Sequence, residues 1–282
     1  MAKPVIICAD STCDLPQNLV ERFDIRIIPL TVLLGDESYF DDANFSPDMI
    51  YDCYKKSGTL PKTSAPSVQQ FIDFFSPMVE AGYEVVHIDI SSELSATFSS
   101  GRIAASELEG VYTVDSRSLS TGISLLILEA VKCREEGMCA ADIAAHLEKL
   151  VPNVETSFVI DTLEFLWKGG RCSGVAALGA NMLKLRPAIA MKEGKLDVYK
   201  KYRGNMNNVY KQYARETLSD KEIYGENIFI VDSGEVSADA VESVKEVVNE
   251  LAPGHQIYCC RAGSTISSHC GPGTLGVIFI RK

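Results

Sequence analysis

Short apolar runs alternate with amphipathic segments along almost the whole chain. The runs at 5–10 (VIICAD), 84–90 (EVVHIDI) and 110–116 (GVYTVDS) have the length and composition of buried strands. Segments 46–57 and 67–82 have helical apolar spacing, and each begins with a serine that suits a helix N-cap. This alternation predicts an α/β fold with mainly parallel sheets flanked by helices.

The pattern divides near residue 154. The helical segment 139–154 ends in Pro152 and Asn153, and a second series of strands and helices follows it. We therefore predict two α/β domains, an N-terminal domain of residues 1–154 and a C-terminal domain of residues 155–282.

Polar residues follow four of the predicted strands directly. These strand ends are DST at 10–12, SSELSAT at 91–97, DSRS at 115–118 and DSG at 232–234. Ligands of open α/β sheets bind outside the carboxyl ends of the strands, and helix N-termini there favour anions. Each turn alone is explained equally well by capping, because Asp and Ser are common caps and turn formers. Four such turns at one sheet edge favour a ligand site.

Three loops add candidates for the same kind of site. In PKTSAPS (61–67), Ser67 suits the N-cap of the next helix, whereas Thr63 has no capping role and is the better ligand candidate. In LWKGGRCSG (166–174), two glycines beside Lys168 and Arg171 suit either an anion-binding nest or an ordinary loop. His269 is the only one of four histidines in a glycine-rich loop, HCGPGTLG.

Charge and composition exclude several classes of protein. The net charge of −11 disfavours nucleic acid as a partner, although it leaves room for an anionic ligand in a local pocket. Nine scattered cysteines without C-x-x-C spacing, and histidines without metal-ligand spacing, predict reduced thiols in a cytoplasm and no zinc site. We expect no signal peptide and no membrane insertion, because no apolar run approaches the roughly 18 residues of a membrane span. The sequence has no P-loop motif and no nucleophile elbow. GPGTLG at 271–276 has the spacing G-x-G-x-x-G, but it stands just before the last predicted strand, whereas a dinucleotide-binding motif follows a strand and opens a helix.

Taken in order, these segments resemble the DegV family, the fatty-acid-binding proteins that serve as acyl carriers for bacterial fatty acid kinase. The resemblance covers nearly the whole chain. Each segment alone is weak, and their order and spacing are specific. They are IICADSTCDLP near the start, TSAPS at 63–67, SSELSATFSS, VYTVDSRSLSTG, FVIDTLEFLWKGGRCSG, LKLRPAIAMKEGKLDVYKKYRG and HCGPGTLGV.

The resemblance implies roles for particular residues. Thr63 and Ser95 look like the residues that hydrogen-bond a fatty acid carboxylate. His269 resembles the histidine near the carboxyl head, and Arg203 the arginine that supports its network. The possible supporting residues are Ser64, Ser92, Ala96, Thr97, Gly170 and Arg171. The chain departs from the family pattern at Ala96, which stands where a glycine is usual, and at Ala65, which replaces a polar residue.

The resemblance also implies a function. A carboxylate only accepts hydrogen bonds, so hydroxyl donors suit it. We expect the N-terminal domain to carry the carboxylate-binding loops and the C-terminal domain to contribute a tunnel for the acyl chain, with the ligand site between them. The helix predicted at 173–185 is rich in small residues and leaves room for a chain. A partner, the ATP-binding subunit of fatty acid kinase, would phosphorylate the bound long-chain fatty acid to an acyl phosphate.

On this interpretation the protein is a lipid carrier with no catalysis, cofactor or metal of its own. One alternative is an acyl hydrolase with Ser95 as nucleophile and His269 as base, which needs the two side chains within hydrogen-bonding distance. Another is a phosphotransfer domain of related fold, which the absence of a P-loop motif disfavours. A Ser95→Ala variant distinguishes the carrier from the hydrolase, because it weakens lipid binding in a carrier and abolishes ester turnover in a hydrolase.

Overall fold

A computed structural model describes residues 3–172 and 185–282, in which the strands form three sheets. The strands are β1 Val5–Asp10, β2 Arg26–Ile28, β3 Thr31–Leu34, β4 Glu37–Phe40, β5 Lys62–Ser64, β6 Glu84–Asp89, β7 Val111–Asp115, β8 Val154–Val159, β9 Arg186–Lys192, β10 Lys195–Tyr202, β11 Ile223–Asp232, β12 Gln256–Arg261 and β13 Leu275–Arg281.

Helices pack between and around these sheets. They are α1 Gln17–Phe23, α2 Pro47–Ser57, α3 Val68–Glu80, α4 Thr97–Ser106, α5 Thr121–Glu135, α6 Ala140–Leu150, α7 Glu164–Gly169, α8 Met206–Leu218, α9 Ala238–Leu251 and α10 Ser264–Cys270. The predicted caps are confirmed. The Ser46 side chain accepts the backbone N–H of Asp48 at the start of α2, and Ser67 forms a reciprocal capping box with Gln70 at the start of α3.

The first sheet has the strand order β2-β1-β6-β7, and all of its strand pairs are parallel. Its central strands are buried on both faces, which explains their nearly continuous apolar sequences. The α/β fold predicted from the sequence, a parallel sheet flanked by helices, is confirmed.

The second sheet has the order β10-β9-β8-β13-β11-β12 and is mixed. Only β11 and β12 pair in parallel, and the four other pairs are antiparallel. The expectation of mainly parallel strands is therefore wrong for this sheet. Two features cause the difference: β9 and β10 form a hairpin, and β13 inserts between β8 and β11 antiparallel to both. Strand–helix alternation along the sequence does not reveal that order.

A third, antiparallel sheet of order β4-β3-β5 brings the TSAPS loop into the site. Thr63 pairs with Val32 of β3 in its register. Side chains alternate between the faces of a strand, so Thr63 and Ser64 point in opposite directions.

One buried apolar cluster spans both predicted domains. The second sheet starts with β8 at Val154, next to the predicted boundary. The largest buried apolar cluster nevertheless contains residues from before and after this boundary. Ile7 and Leu126 precede it, and Ile189 and Leu196 follow it. The division into two domains stays a prediction. The helix predicted at 173–185 lies outside the described residues, except for Leu185.

None of the helices within residues 3–172 and 185–282 has the length and apolar character that a bilayer crossing requires.

Candidate functional site

A pocket of about 520 Å³ lies beyond the carboxyl end of β6 and is lined by residues from both sides of residue 154. We call it the polar pocket. Its lining consists of Leu30, Thr63, Ala65, Ile90, Ser92, Glu93, Leu94, Ser95, Ala96, Ser99, Leu119, Arg171, Leu196, Thr265, Ile266 and His269.

Thr63 and His269 meet inside this pocket. The hydroxyl of Thr63 lies 2.8 Å from Nε2 of His269. Thr63 lies in strand β5 and His269 in the last turn of α10, so the prediction that these two residues lie in loops is wrong. Ser64 is exposed and does not line the pocket, because it lies on the opposite face of β5.

The imidazole of His269 is held neutral. Burial, and secondarily the positive charge of Arg171, lowers the pKa of His269 to about 4. Its Nδ1 is buried and has no hydrogen-bond partner among the described residues. The backbone of Gly169 packs against this edge of the ring, where a Cβ on Gly169 would lie 2.7 Å from Nδ1. The ring therefore acts in the pocket through Nε2.

Ser95 lies at the start of α4. Its hydroxyl accepts the backbone N–H of Thr97 at 3.2 Å and is 2.7 Å from the Thr97 hydroxyl, with which it shares a hydrogen bond. Ala96 occupies the N-cap position without a capping side chain, so Ser95 satisfies a free N–H of the helix instead. Thr97 is buried, and Ala96 is exposed and lines the pocket.

Ser92 stabilises the pocket wall through two hydrogen bonds. Its backbone N–H and its hydroxyl both donate to the Asp115 carboxylate, at 3.1 and 2.6 Å. The carboxylate of Asp10 likewise accepts the backbone N–H of Ile90 at 2.7 Å. The polar ends of β1, β6 and β7 are thus joined to one another by hydrogen bonds, which shape the edge of the sheet from which the pocket opens.

The tip of the β9–β10 hairpin, Glu193 and Gly194, is fastened to the same wall. The hydroxyl of Ser91 donates to the Gly194 carbonyl at 2.7 Å, and the guanidinium of Arg117 donates to the Glu193 carbonyl. This attachment brings Leu196 of β10 into the pocket lining. Ser91 and Arg117 lie in the predicted polar strand ends, but their contacts with the hairpin tip could not be predicted from the sequence.

The basic candidates differ in position. Arg171 lines the pocket, and its guanidinium donates to the carbonyl of Gly169 at 2.6 Å. Gly170 ends α7 in the left-handed conformation, with φ 71°, which turns the chain at this point. Arg203 is exposed after the end of β10 and does not line the pocket.

Below the polar pocket lies a small cavity of about 50 Å³ with almost entirely apolar walls, which we call the apolar cavity. The residues that line both spaces are Leu119, Leu196, Ile266 and His269. Phe158, Leu166 and Ile278 line the apolar cavity further in. His269 therefore stands where a polar wall changes to an apolar one. Of the residues at this junction, only His269 could be identified from the sequence, because ordinary core positions have the same apolar pattern as the others.

Fold and site together define a class of α/β proteins in which hydroxyl groups and a neutral histidine line a pocket that leads to an apolar cavity. A sequence profile of the DegV family matches residues 4–282. The chain belongs to the DegV family.

Relatives of known structure or name support this assignment. A protein of Thermotoga maritima named fatty acid-binding protein is 31% identical, with 96% of each chain covered. The structure of a fatty-acid-binding DegV family protein from Thermus thermophilus superimposes with a TM-score of 0.88, at 31% identity and with both chains fully covered. A stearic acid-binding protein from Eubacterium ventriosum gives a TM-score of 0.85 at 28% identity, with 98% of each chain covered.

Proposed function

We propose that this protein binds a long-chain fatty acid, with the carboxylate in the polar pocket and the acyl tail directed into the apolar cavity. The observation that carries the proposal is the position of the Thr63–His269 hydrogen bond at the junction of the two spaces. A fatty acid has the same polarity pattern, an anionic end joined to an apolar chain. The names of the relatives support this choice of ligand.

Neutral donors hold the carboxylate in this proposal. With Nδ1 of His269 unprotonated, Nε2–H donates to the Thr63 oxygen, and the Thr63 hydroxyl hydrogen is then free to donate to the ligand. This tautomer avoids a buried N–H without an acceptor, which is the costlier defect. The Ser95 hydroxyl supplies a second donor, and Arg171 a cation at the pocket wall. Hydrogen bonds to an ionised acceptor are about twice as strong as neutral ones.

The tail supplies most of the affinity. Each buried CH₂ contributes about 0.8 kcal/mol, so a long chain gains far more than its head. A cavity of about 50 Å³ accepts only the first carbons of such a chain. We therefore expect binding to displace the side chains that line the cavity beyond Phe158 and Leu166.

The proposed role is to present the carboxylate to the ATP-binding subunit of a separate kinase. One carboxylate oxygen attacks the γ-phosphorus of ATP, the bond to the β-phosphate oxygen breaks, and acyl phosphate and ADP result. The bound fatty acid is the only small molecule that this carrier needs. Arg203 is exposed after the end of β10. Its support of the hydrogen-bond network around the carboxylate stays a prediction.

The geometry does not favour the hydrolase alternative. The Ser95 hydroxyl pairs with Thr97, whereas Nε2 of His269 pairs with Thr63. A catalytic histidine also needs a group that orients its second nitrogen, and Nδ1 has none among the described residues. A pKa near 4 makes His269 a weak general base.

The test is mass spectrometry of the protein under native and then denaturing conditions, with added palmitate and oleate. We expect a mass excess that disappears on denaturation and a fatty acid in the organic extract. Thr63→Val should reduce affinity about tenfold, because it removes a hydrogen bond to a charged group. Ser64→Ala, one residue along the same strand and outside the pocket, is the matched control and should bind normally. Protein that takes up neither acid overturns the proposal.

The kinase step is tested separately. Loaded protein is mixed with ATP and a purified kinase subunit of this type, and acyl phosphate is trapped with hydroxylamine. Binding without acyl phosphate formation would refute the carrier role and leave fatty acid binding intact. Ser95→Ala should weaken binding and leave any ester hydrolysis at background level.

A further inference from the structure

A second cluster of chemically active side chains lies between α5 and α6, away from the polar pocket. Glu129 and Cys133 are four residues apart on α5 and share one helix face, and His146 of α6 faces them. One carboxylate oxygen, the thiol sulfur and one imidazole nitrogen all lie within 4.8 Å of one another. We propose that Glu129, Cys133 and His146 form a binding site for a zinc ion.

The donor set suits zinc. Thiolate, imidazole and carboxylate are the three protein ligands that Zn²⁺ takes in tetrahedral sites, at about 2.3, 2.0 and 2.1 Å. Three protein ligands leave a fourth position for water. His146 Nε2 lies 2.8 Å from Oε1 of Glu129, to which it donates a hydrogen bond, so the two ligand side chains already face each other.

An outer hydrogen bond supports the carboxylate. The Tyr224 hydroxyl donates to Oε1 of Glu129 at 2.9 Å, and the His146 contact reaches the same oxygen. Among the described residues, Oε2 of Glu129 is left available for coordination. Partners of this kind orient the ligands of metal sites. A tyrosine hydroxyl is protonated at neutral pH and a carboxylate only accepts, so Tyr224 is the donor in this bond.

An ion has a path to the cluster. Cys133 is buried, but the side chains of Glu129 and His146 are 11% and 32% exposed. Glu129 and Tyr224 line a surface groove of about 490 Å³. Binding requires the thiol of Cys133 to lose its proton to solvent as the sulfur–zinc bond forms. The hydrogen that His146 Nε2 donates to Glu129 must move to Nδ1, so that the Nε2 lone pair binds the ion, and the Glu129 carboxylate binds through Oε2.

The position of the cluster separates it from fatty acid binding. Leu119 lines the polar pocket just before α5, and Cys133 lies fourteen residues later, about 20 Å along the helix axis. A zinc ion there would join α5 to α6 without touching the pocket. Spacing of cysteine and histidine alone does not predict this site, because the ligands come from two helices and one of them is a glutamate.

The probe is Co²⁺ alone, titrated into the metal-free full-length protein under reducing-agent-free, anaerobic conditions. We expect one equivalent to bind with tetrahedral absorption bands and a thiolate-to-cobalt charge-transfer band, and Zn²⁺ to displace it. Cys133→Ser should remove the charge-transfer band. His146→Gln and Glu129→Gln should weaken binding at least tenfold, and Tyr224→Phe about tenfold, as for outer partners of other sites.

Matched controls locate the ion. Cys259→Ser changes an exposed cysteine, and His255→Gln a histidine elsewhere, so both should leave the titration unchanged. Glu129→Gln keeps the side-chain shape and remains informative if Cys133→Ser fails to fold. The absence of saturable binding, or a charge-transfer band that survives Cys133→Ser, would overturn the proposal. Fatty acid uptake should stay normal in every variant.

Discussion

The hydroxyl of Thr63 lies 2.8 Å from Nε2 of His269, although 206 residues separate them in the chain. This contact joins the small antiparallel sheet to α10 at the point where the polar pocket meets the apolar cavity. If the pair acts as one unit on a carboxylate, its two members should not contribute independently.

A double-mutant cycle tests this coupling. Thr63→Val and His269→Leu should each lower fatty acid affinity about tenfold, and the double variant should be little worse than either. The physical reason is that His269 acts on the ligand only by orienting the Thr63 hydroxyl. The cycle is measured by calorimetric titration. Thr63→Val combined with the distant His146→Gln should behave additively, and a 100-fold loss in the Thr63–His269 double variant would contradict the coupling.

Local sequence rules predicted much of the fold. The caps Ser46 and Ser67 and the strand at Val5–Asp10 follow from nearest-neighbour chemistry, and the structure confirms them. The order of the second sheet does not follow from such rules, because β13 pairs with strands that precede it by more than forty residues.

The same limit applies to the site. Thr63 was a ligand candidate in the sequence because it has no capping role. The alternation of side chains along β5 places Thr63 in the pocket and Ser64 outside it. Arg117 and Ser91 gave no such signal. Their partners are backbone carbonyls of a hairpin tip that comes close only in three dimensions.

Acidification should destabilise the protein through His269. Its folded pKa of about 4 lies below the ordinary 6.5, so the unfolded state binds more protons between these values and stability falls as pH falls through this window. Asp10 acts in the opposite direction. Burial, and then the charge of Asp89, raises its folded pKa from 3.8 to about 6, so its proton favours the folded state as pH falls.

The difference between wild type and His269→Gln therefore isolates the histidine. Urea unfolding at pH 7 and pH 5 should show that the variant loses about 1 to 2 kcal/mol less on acidification than wild type. Equal losses would mean that the His269 ring is protonated in the folded protein near pH 5.

Gly169→Ala should weaken fatty acid binding by displacing the His269 ring. Alanine is the better helix former by up to about 1 kcal/mol, and Gly169 lies in the last turn of α7 without a positive φ. Its Cβ, however, would lie 2.7 Å from Nδ1 of His269 and would displace the ring. Displacing the buried ring should offset the gain in helix propensity, so we expect unchanged or lower thermal stability with about tenfold weaker fatty acid binding. Lys168→Ala, on the exposed side of the same helix, should keep full affinity, and a Gly169→Ala protein that binds normally would show that the ring position does not matter.

The attachment of the hairpin tip is tested with two glycines in similar turns. Gly194 and Gly35 both have positive φ, 81° and 65°, so alanine at either position costs about 1 to 2 kcal/mol in backbone strain. A Cβ at Gly35 meets nothing within 4 Å, whereas one at Gly194 would lie 2.8 Å from the Ser91 hydroxyl and 2.7 Å from the Arg117 guanidinium carbon.

Gly194→Ala should therefore lose at least about 2 kcal/mol more stability than Gly35→Ala in urea unfolding, because it also breaks the buried Ser91 hydrogen bond. It should weaken fatty acid binding as well, since Leu196 moves with the tip and lines both the polar pocket and the apolar cavity. Gly35→Ala should bind normally. Equal stability losses in the two variants would show that the tip is not held against the pocket wall in solution.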